Sequence, residues 1–164
     1  MTGFENHDHA HCVGAMISNV EDRCAAEGLR LTPVRRRVLE ILGEQHRALG
    51  AYAVLDRLSS EGHGSQPPVV YRALDFLVEH GFVHKIEKLN AYVACSYMGS
   101  HMHSDHAPVF MVCRLCSAVA ELEAGHDMVG LSDLASATGF TPERAVIEVT
   151  GLCPACRQGQ VGRA

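Results

Sequence analysis

Two periods run along this chain: apolar positions recur at helical spacing from Asn19 to Glu79, and after Phe82 they begin to alternate. NVEDRCAAEGLR, from Asn19, predicts a short helix stopped by Gly28. In LTPVRRRVLEILGE, Thr32 stands at N-cap and Pro33 at the first helical position, with Val34, Val38, Ile41 and Leu42 at helical spacing before Gly43. GAYAVLDRLSSEG predicts a further helix with Tyr52, Leu55 and Leu58 within reach of one face. PPVVYRALDFLVEHG predicts the next, opened by proline and followed by Gly81.

The change of period marks a hairpin. FVHKIEKLNAYVAC reads as strands at 82–86 and 91–95 joined by a turn from Glu87 to Asn90. Short helices followed by a hairpin form a winged-helix pattern, a relative of helix-turn-helix in which the last helix enters the DNA major groove. Residues 1–14 read as a flexible His-rich tail, 15–96 as the winged helix and 97–107 as a polar hinge. Residues 108–157 follow as a small α/β unit, and 158–164 as a second tail. Within 108–157 the expected order is a strand at Val109–Val112, a strand at Ala118–Leu122, a helix near Met128–Thr138 and a strand at Ala145–Val149. The predicted fold class is therefore α+β.

Composition places the chain among ordinary globular proteins: of 164 residues, 47% are hydrophobic and 20% charged. No apolar run approaches the ~18 residues of a membrane span, and the N-terminus lacks the basic and apolar segments of a signal peptide. A cytoplasmic location is expected, where reduced cysteines serve as metal ligands more often than as structural disulfides. The net charge of -5 does not by itself suggest nucleic acid. Residues 1–88 hold ten of the fourteen Lys and Arg, yet also twelve acidic residues, so DNA binding has to be argued from a site.

Four of the seven cysteines form two Cys-x-x-Cys pairs, Cys113 with Cys116 and Cys153 with Cys156. Brought together by strand ends, they offer four thiolates in the tetrahedral geometry that zinc prefers. A closed site of this kind contributes on the order of 10 kcal/mol to folding, which a unit of this size needs. The alternative, a pair of redox dithiols, is favoured when a Cys-x-x-Cys opens a helix, and neither pair is expected to do so.

A second group is His84, Cys95, His106 and Glu121. With a four-residue turn, His84 faces Val93 across the hairpin and Cys95 lies one diagonal step away on the same face. A metal held by all four residues would stitch the wing to the second unit. A thiolate, two imidazoles and a carboxylate suit tetrahedral zinc, whereas an iron sensor would use harder ligands at higher coordination.

LRLTPVRRRVLEIL, PPVVYRALDFLVEHGFVHKIEKLNAYVAC, HAPVFMVCRLCSAVAELE and VIEVTGLCPAC, in that order over about residues 20–157, resemble the ferric uptake regulator family, and most of all its zinc uptake branch. The resemblance implies a homodimeric, zinc-dependent repressor of zinc uptake genes, with no enzymatic activity and no small organic substrate. It implies a winged helix reading double-stranded operator DNA, a C-terminal dimerisation domain and two Zn2+ per subunit. Cys113, Cys116, Cys153 and Cys156 become the structural site, and His84, Cys95, His106 and Glu121 the regulatory one.

The resemblance also places Tyr52, Tyr71 and Arg72 against DNA, where Arg can fork to guanine and Tyr can meet a thymine methyl or a phosphate. Arg35, Arg36 and Arg37 are further candidates for phosphate, although three consecutive residues cannot all face one way. One departure is Val69, where the family pattern has a threonine able to cap the helix. Three rival readings stay open: an iron or peroxide sensor using His101, His103 and Asp105, a thiol oxidoreductase, and a zinc store.

Overall fold

A computed structural model describes residues 4, 9–45, 47–62, 66–96, 108–123, 129–143 and 145–159. Helices α1 (His9–Glu27), α2 (Pro33–Gly43), α3 (Ala51–Ser60) and α4 (Pro67–Glu79) come first. They are followed by the hairpin β1 (Val83–Ile86) and β2 (Ala91–Ala94). The second unit holds β3 (Pro108–Cys113), β4 (Val119–Glu123), α5 (Val129–Thr138), β5 (Ile147–Gly151) and the one-turn α6 (Pro154–Arg157). Among the described residues no helix is long and apolar enough to cross a membrane.

The start of α2 is as the pattern predicts: Thr32 is extended, its hydroxyl accepts the Arg35 N–H and Pro33 opens the helix. The face it buries carries Val38, Leu39, Ile41 and Leu42. These pack with Ile17 and Val20 of α1, Val54 and Leu58 of α3 and Leu74 and Leu77 of α4 in one core. Fully burying each such side chain contributes about 1.5–3 kcal/mol. Gly81, at φ +70°, ends α4: its N–H donates to the Val78 carbonyl and the Phe82 N–H to Leu77, satisfying the last turn while the chain reverses into β1.

Four expectations are corrected here. Helix α1 begins at His9, inside the stretch read as a tail, because Ile17, Val20 and Cys24 anchor it to the core and the helix extends backward from them. Tyr52 does not share the buried face of α3, which consists of Ala51, Val54 and Leu58 while Tyr52 is 67% exposed. Val69 is not the cap of α4: Gln66 holds that position and Pro67 opens the helix, so the missing hydroxyl costs nothing there. Strand β5 starts two residues later than expected, at Ile147, in register with Val109 of β3.

The hairpin has the expected register, with His84 opposite Val93 and Ile86 opposite Ala91. Its turn is a 3-10 turn at Glu87–Leu89 closed by Asn90 in the left-handed region at φ 46°. Leu49, between α2 and α3, exchanges both backbone hydrogen bonds with Tyr92, at 2.9 and 2.8 Å. Beside it the Ala48 N–H donates to the Ser117 carbonyl of the second unit at 3.3 Å.

In the second sheet β3 is central, antiparallel to β4 and parallel to β5. Phe110, Val112 and Val119 of this sheet pack with Ile86 and Val93 of the hairpin. The wing therefore rests on the second unit.

Candidate metal centres

The parallel register of β3 and β5 sets Cys113 beside Gly151, so both Cys-x-x-Cys pairs arrive at the same end of the sheet. The first pair occupies a tight turn in which the Ser117 N–H donates to the Cys113 carbonyl, with Ser117 at φ 56°. In the second, Cys153 caps α6 and its sulfur accepts the Cys156 N–H at 3.5 Å. The expectation that neither pair opens a helix thus fails for Cys153: Pro154 favours a helical turn directly after it.

The redox alternative gains nothing from that helix, because the sulfurs gather across pairs. Ligand atoms of Cys113, Cys116, Cys153 and Cys156 lie within 4.8 Å of one another, and the sulfurs of Cys116 and Cys153 are 3.7 Å apart. Sulfurs at the corners of a zinc tetrahedron with ~2.3 Å bonds stand about 3.8 Å apart, whereas a disulfide requires about 2.05 Å. All four are free thiols, which fits the zinc donor set.

Their protonation is uneven. Burial alone would raise the Cys113 thiol, but N–H donors of Cys153, Cys116 and Leu115 outweigh it and hold it at about 6. Cys116 is raised by burial, and Cys156 is pushed up to about 12 by burial and then by the neighbouring thiols.

A second cluster lies where the wing meets the second sheet. His84 projects from β1, Cys95 follows β2 and Glu121 stands on β4; all three are buried. His84 Nε2 is 3.0 Å from Glu121 Oε1, and Cys95 Sγ is 3.8 Å from the same oxygen. Glu121 Oε2 accepts the Ser96 N–H at 2.7 Å. The His84 ring lies against Phe110, with centroids 5.1 Å apart. Burying a carboxylate, an imidazole and a thiol together is costly unless they share a proton or a cation, and the N, S and O donors here suit zinc. Three of the four residues read from the sequence are thereby brought together. His106 lies outside the described residues, as do His101, His103 and Asp105. The Ser96 amide and the Phe110 wall are not legible locally: PVFMVC is apolar throughout, and only the fold shows that Phe110 faces the wing.

On the helical face, Tyr71 and Arg72 are exposed on α4 and Tyr52 on α3. Arg35, Arg36 and Arg37, the further candidates for phosphate, are engaged within the chain. Arg35 stacks 3.6 Å from the centroid of Phe76, and Arg36 pairs with Glu21 and Glu40. Arg37 forks to Glu61 and also reaches Glu40 and Glu44. These ion pairs join α1, α2 and α3.

Comparison with known proteins places this geometry. The chain is 41% identical over 143 residues to the zinc uptake regulation protein of Escherichia coli (strain K12), spanning 86% of this chain and 81% of that one. It superposes with a TM-score of 0.82 on a zinc uptake regulator complexed with zinc and DNA, at 38% identity over 90% of this chain and 97% of the other. Against XcZur, at 40% identity and 88% of this chain, the TM-score is 0.75 for the holo form and 0.51 for the apo form, covering 98% and 97% of those chains. Residues 26–150 match the ferric uptake regulator family as a whole, and the chain belongs to that family.

Proposed function

We propose that this chain is a zinc-responsive repressor, not an enzyme, that binds operator DNA as a zinc-loaded homodimer and controls zinc uptake genes. The observation that carries this reading is the buried group of His84, Cys95 and Glu121 at the join between wing and second unit. The soft thiolate favours zinc over iron in that position. His106 completes the set, and the four cysteines hold a second, permanent Zn2+, giving two per subunit.

Bound there, zinc would supply the positive charge that balances the Cys95 thiolate and the Glu121 carboxylate. The chain's own residues do the rest. His84 and Cys95 fix the base of the wing, Glu121 fixes β4, and Phe110 excludes water between them. Held in this way, the two winged helices of a dimer present Tyr52, Tyr71 and Arg72 at the spacing of successive major grooves. The higher TM-score to the holo than to the apo form of XcZur supports reading the present arrangement as the zinc-bound one. The winged helix, from α1 through residue 96, reads DNA, 97–107 form the hinge and 108–157 pair the copies, in a cytoplasmic protein. Pairing is supported by the free outer edge of β5 among the described residues, together with exposed Leu134, Phe140 and Val149.

The test is fluorescence anisotropy in chelator-buffered zinc, using a duplex selected from random DNA by the zinc-loaded protein. Binding should appear only as zinc rises. Equal affinity with and without zinc would contradict the reading.

A further inference from the structure

Glu121, Phe110 and Glu148 stand in one row across the second sheet: β4 pairs Glu121 with Phe110, and β5 pairs Phe110 with Glu148. Residues in register on neighbouring strands project from the same face, and the burial of Phe110 against Ile86 and Val93 makes this the face turned toward the wing. The two carboxylates of the row meet the hairpin at opposite ends. Glu121 accepts the Ser96 N–H at its base. Glu148 accepts two N–H groups at its turn, from Glu87 at 2.7 Å and from Lys88 at 3.0 Å, spanning 61 and 60 residues of chain.

We propose that Glu148 is a positioning residue for DNA binding: a metal-independent clasp that fixes the wing turn to the second unit. The base of the wing, held through Glu121 and the metal group, then moves about a fixed point when the metal site fills or empties. A clasp at one end and a switch at the other make the hairpin a lever, so that a small change at Cys95 and His84 redirects the whole reading head. Several features of the turn support this. Charged acceptors on backbone N–H groups form the stronger class of hydrogen bond. The Glu87 side chain is engaged elsewhere, with Lys85 at 2.9 Å, which leaves its backbone N–H to Glu148. The Ala48 to Ser117 bond and the packing of Leu89 against the shared apolar cluster are further ties between the units, but among the described residues it is Glu148 that takes the Glu87 and Lys88 N–H groups.

This inference rests on the repressor reading above, and two measurements separate them. The first is amide exchange at Glu87 and Lys88 in the zinc-loaded full chain, followed by NMR. Glu148→Ala should speed exchange at both amides by ~10-fold or more, with zinc content and dimer size unchanged. The second is affinity for the selected duplex at saturating zinc, which should fall about 10-fold in Glu148→Ala and less in Glu148→Gln, whose single carbonyl oxygen still accepts. Glu87→Pro keeps Glu148 but deletes one donor at a position where proline suits the backbone, and should reproduce part of the loss in affinity. Unchanged exchange, or faster exchange with wild-type affinity, would overturn the clasp. Zinc-independent DNA binding by the wild type would overturn the repressor reading instead, and the exchange measurement would still decide whether Glu148 holds the turn.

Discussion

Cys95 Sγ lies 3.8 Å from Glu121 Oε1, joining the end of the wing to the second sheet although the two residues are 26 apart in the chain. Each belongs to a different unit, so a ligand holding both holds the units together. The four-cysteine group, in contrast, lies entirely within the second unit and ties β3 to α6. Removing a ligand from one group or the other should therefore have different consequences.

Cys113→Ser should act on folding. One thiolate fewer leaves the sulfurs of Cys116, Cys153 and Cys156 without a closed tetrahedron, in a unit to which the proposed zinc would contribute on the order of 10 kcal/mol. Elemental analysis should find one zinc per chain fewer, and thermal melting should show the second unit unfolded near room temperature. A variant with full zinc content and a wild-type melting temperature would refute the assignment.

Zinc binding to the stripped protein should release protons. Cys116 is raised by burial and Cys156 is pushed up to about 12, so both are still protonated at neutral pH and must ionise to bind metal. The metal-bound state thus holds fewer protons, and affinity rises with pH across the neutral range. Cys113, held at about 6, adds to this dependence only on the acid side. Calorimetry in buffers of different ionisation enthalpy should show the release; a heat independent of buffer would argue against these protonation states.

Arg37 and Arg72 should separate stability from DNA binding. Arg37→Ala strips a bidentate partner from Glu61 and leaves Glu40 with Arg36 and Glu44 with Arg57 as their remaining arginine partners among the described residues, with an expected cost of about 1–3 kcal/mol in denaturant unfolding. The salt dependence of its DNA binding should stay that of the wild type. Arg72→Ala should melt normally and lose about 1–3 kcal/mol of DNA affinity. The reverse pattern would assign phosphate contact to the arginine run.

The features legible from sequence were those carried by local chemistry. Thr32 with Pro33 marks a helix start, and a four-residue turn sets the hairpin register that brings His84 and Cys95 to one face. Matched Cys pairs announce a site before any fold is known. The rest depends on contacts between distant segments. Nothing periodic in HDHAHCVGAM signals that α1 runs back to His9, since its anchor lies downstream at Ile17 and Val20. Tyr52 fits the helical spacing of Leu55 as well as Ala51 fits that of Val54, and only the core decides which face is buried. The partners of Arg37 lie up to 24 residues away, and those of Glu148 about 60, beyond what any local pattern encodes.

We propose that the buried group at the join, and not the four-cysteine group, reports zinc to the DNA. The most direct measurement compares wild type and Cys95→Ser in buffered zinc, by anisotropy on the same duplex, with zinc bound to the four cysteines verified in both. Wild-type binding should strengthen with zinc by a factor in the ~5–150 range of site-to-site coupling, and the Cys95→Ser protein should stay folded and dimeric without responding. An equal zinc response in the two proteins would contradict it.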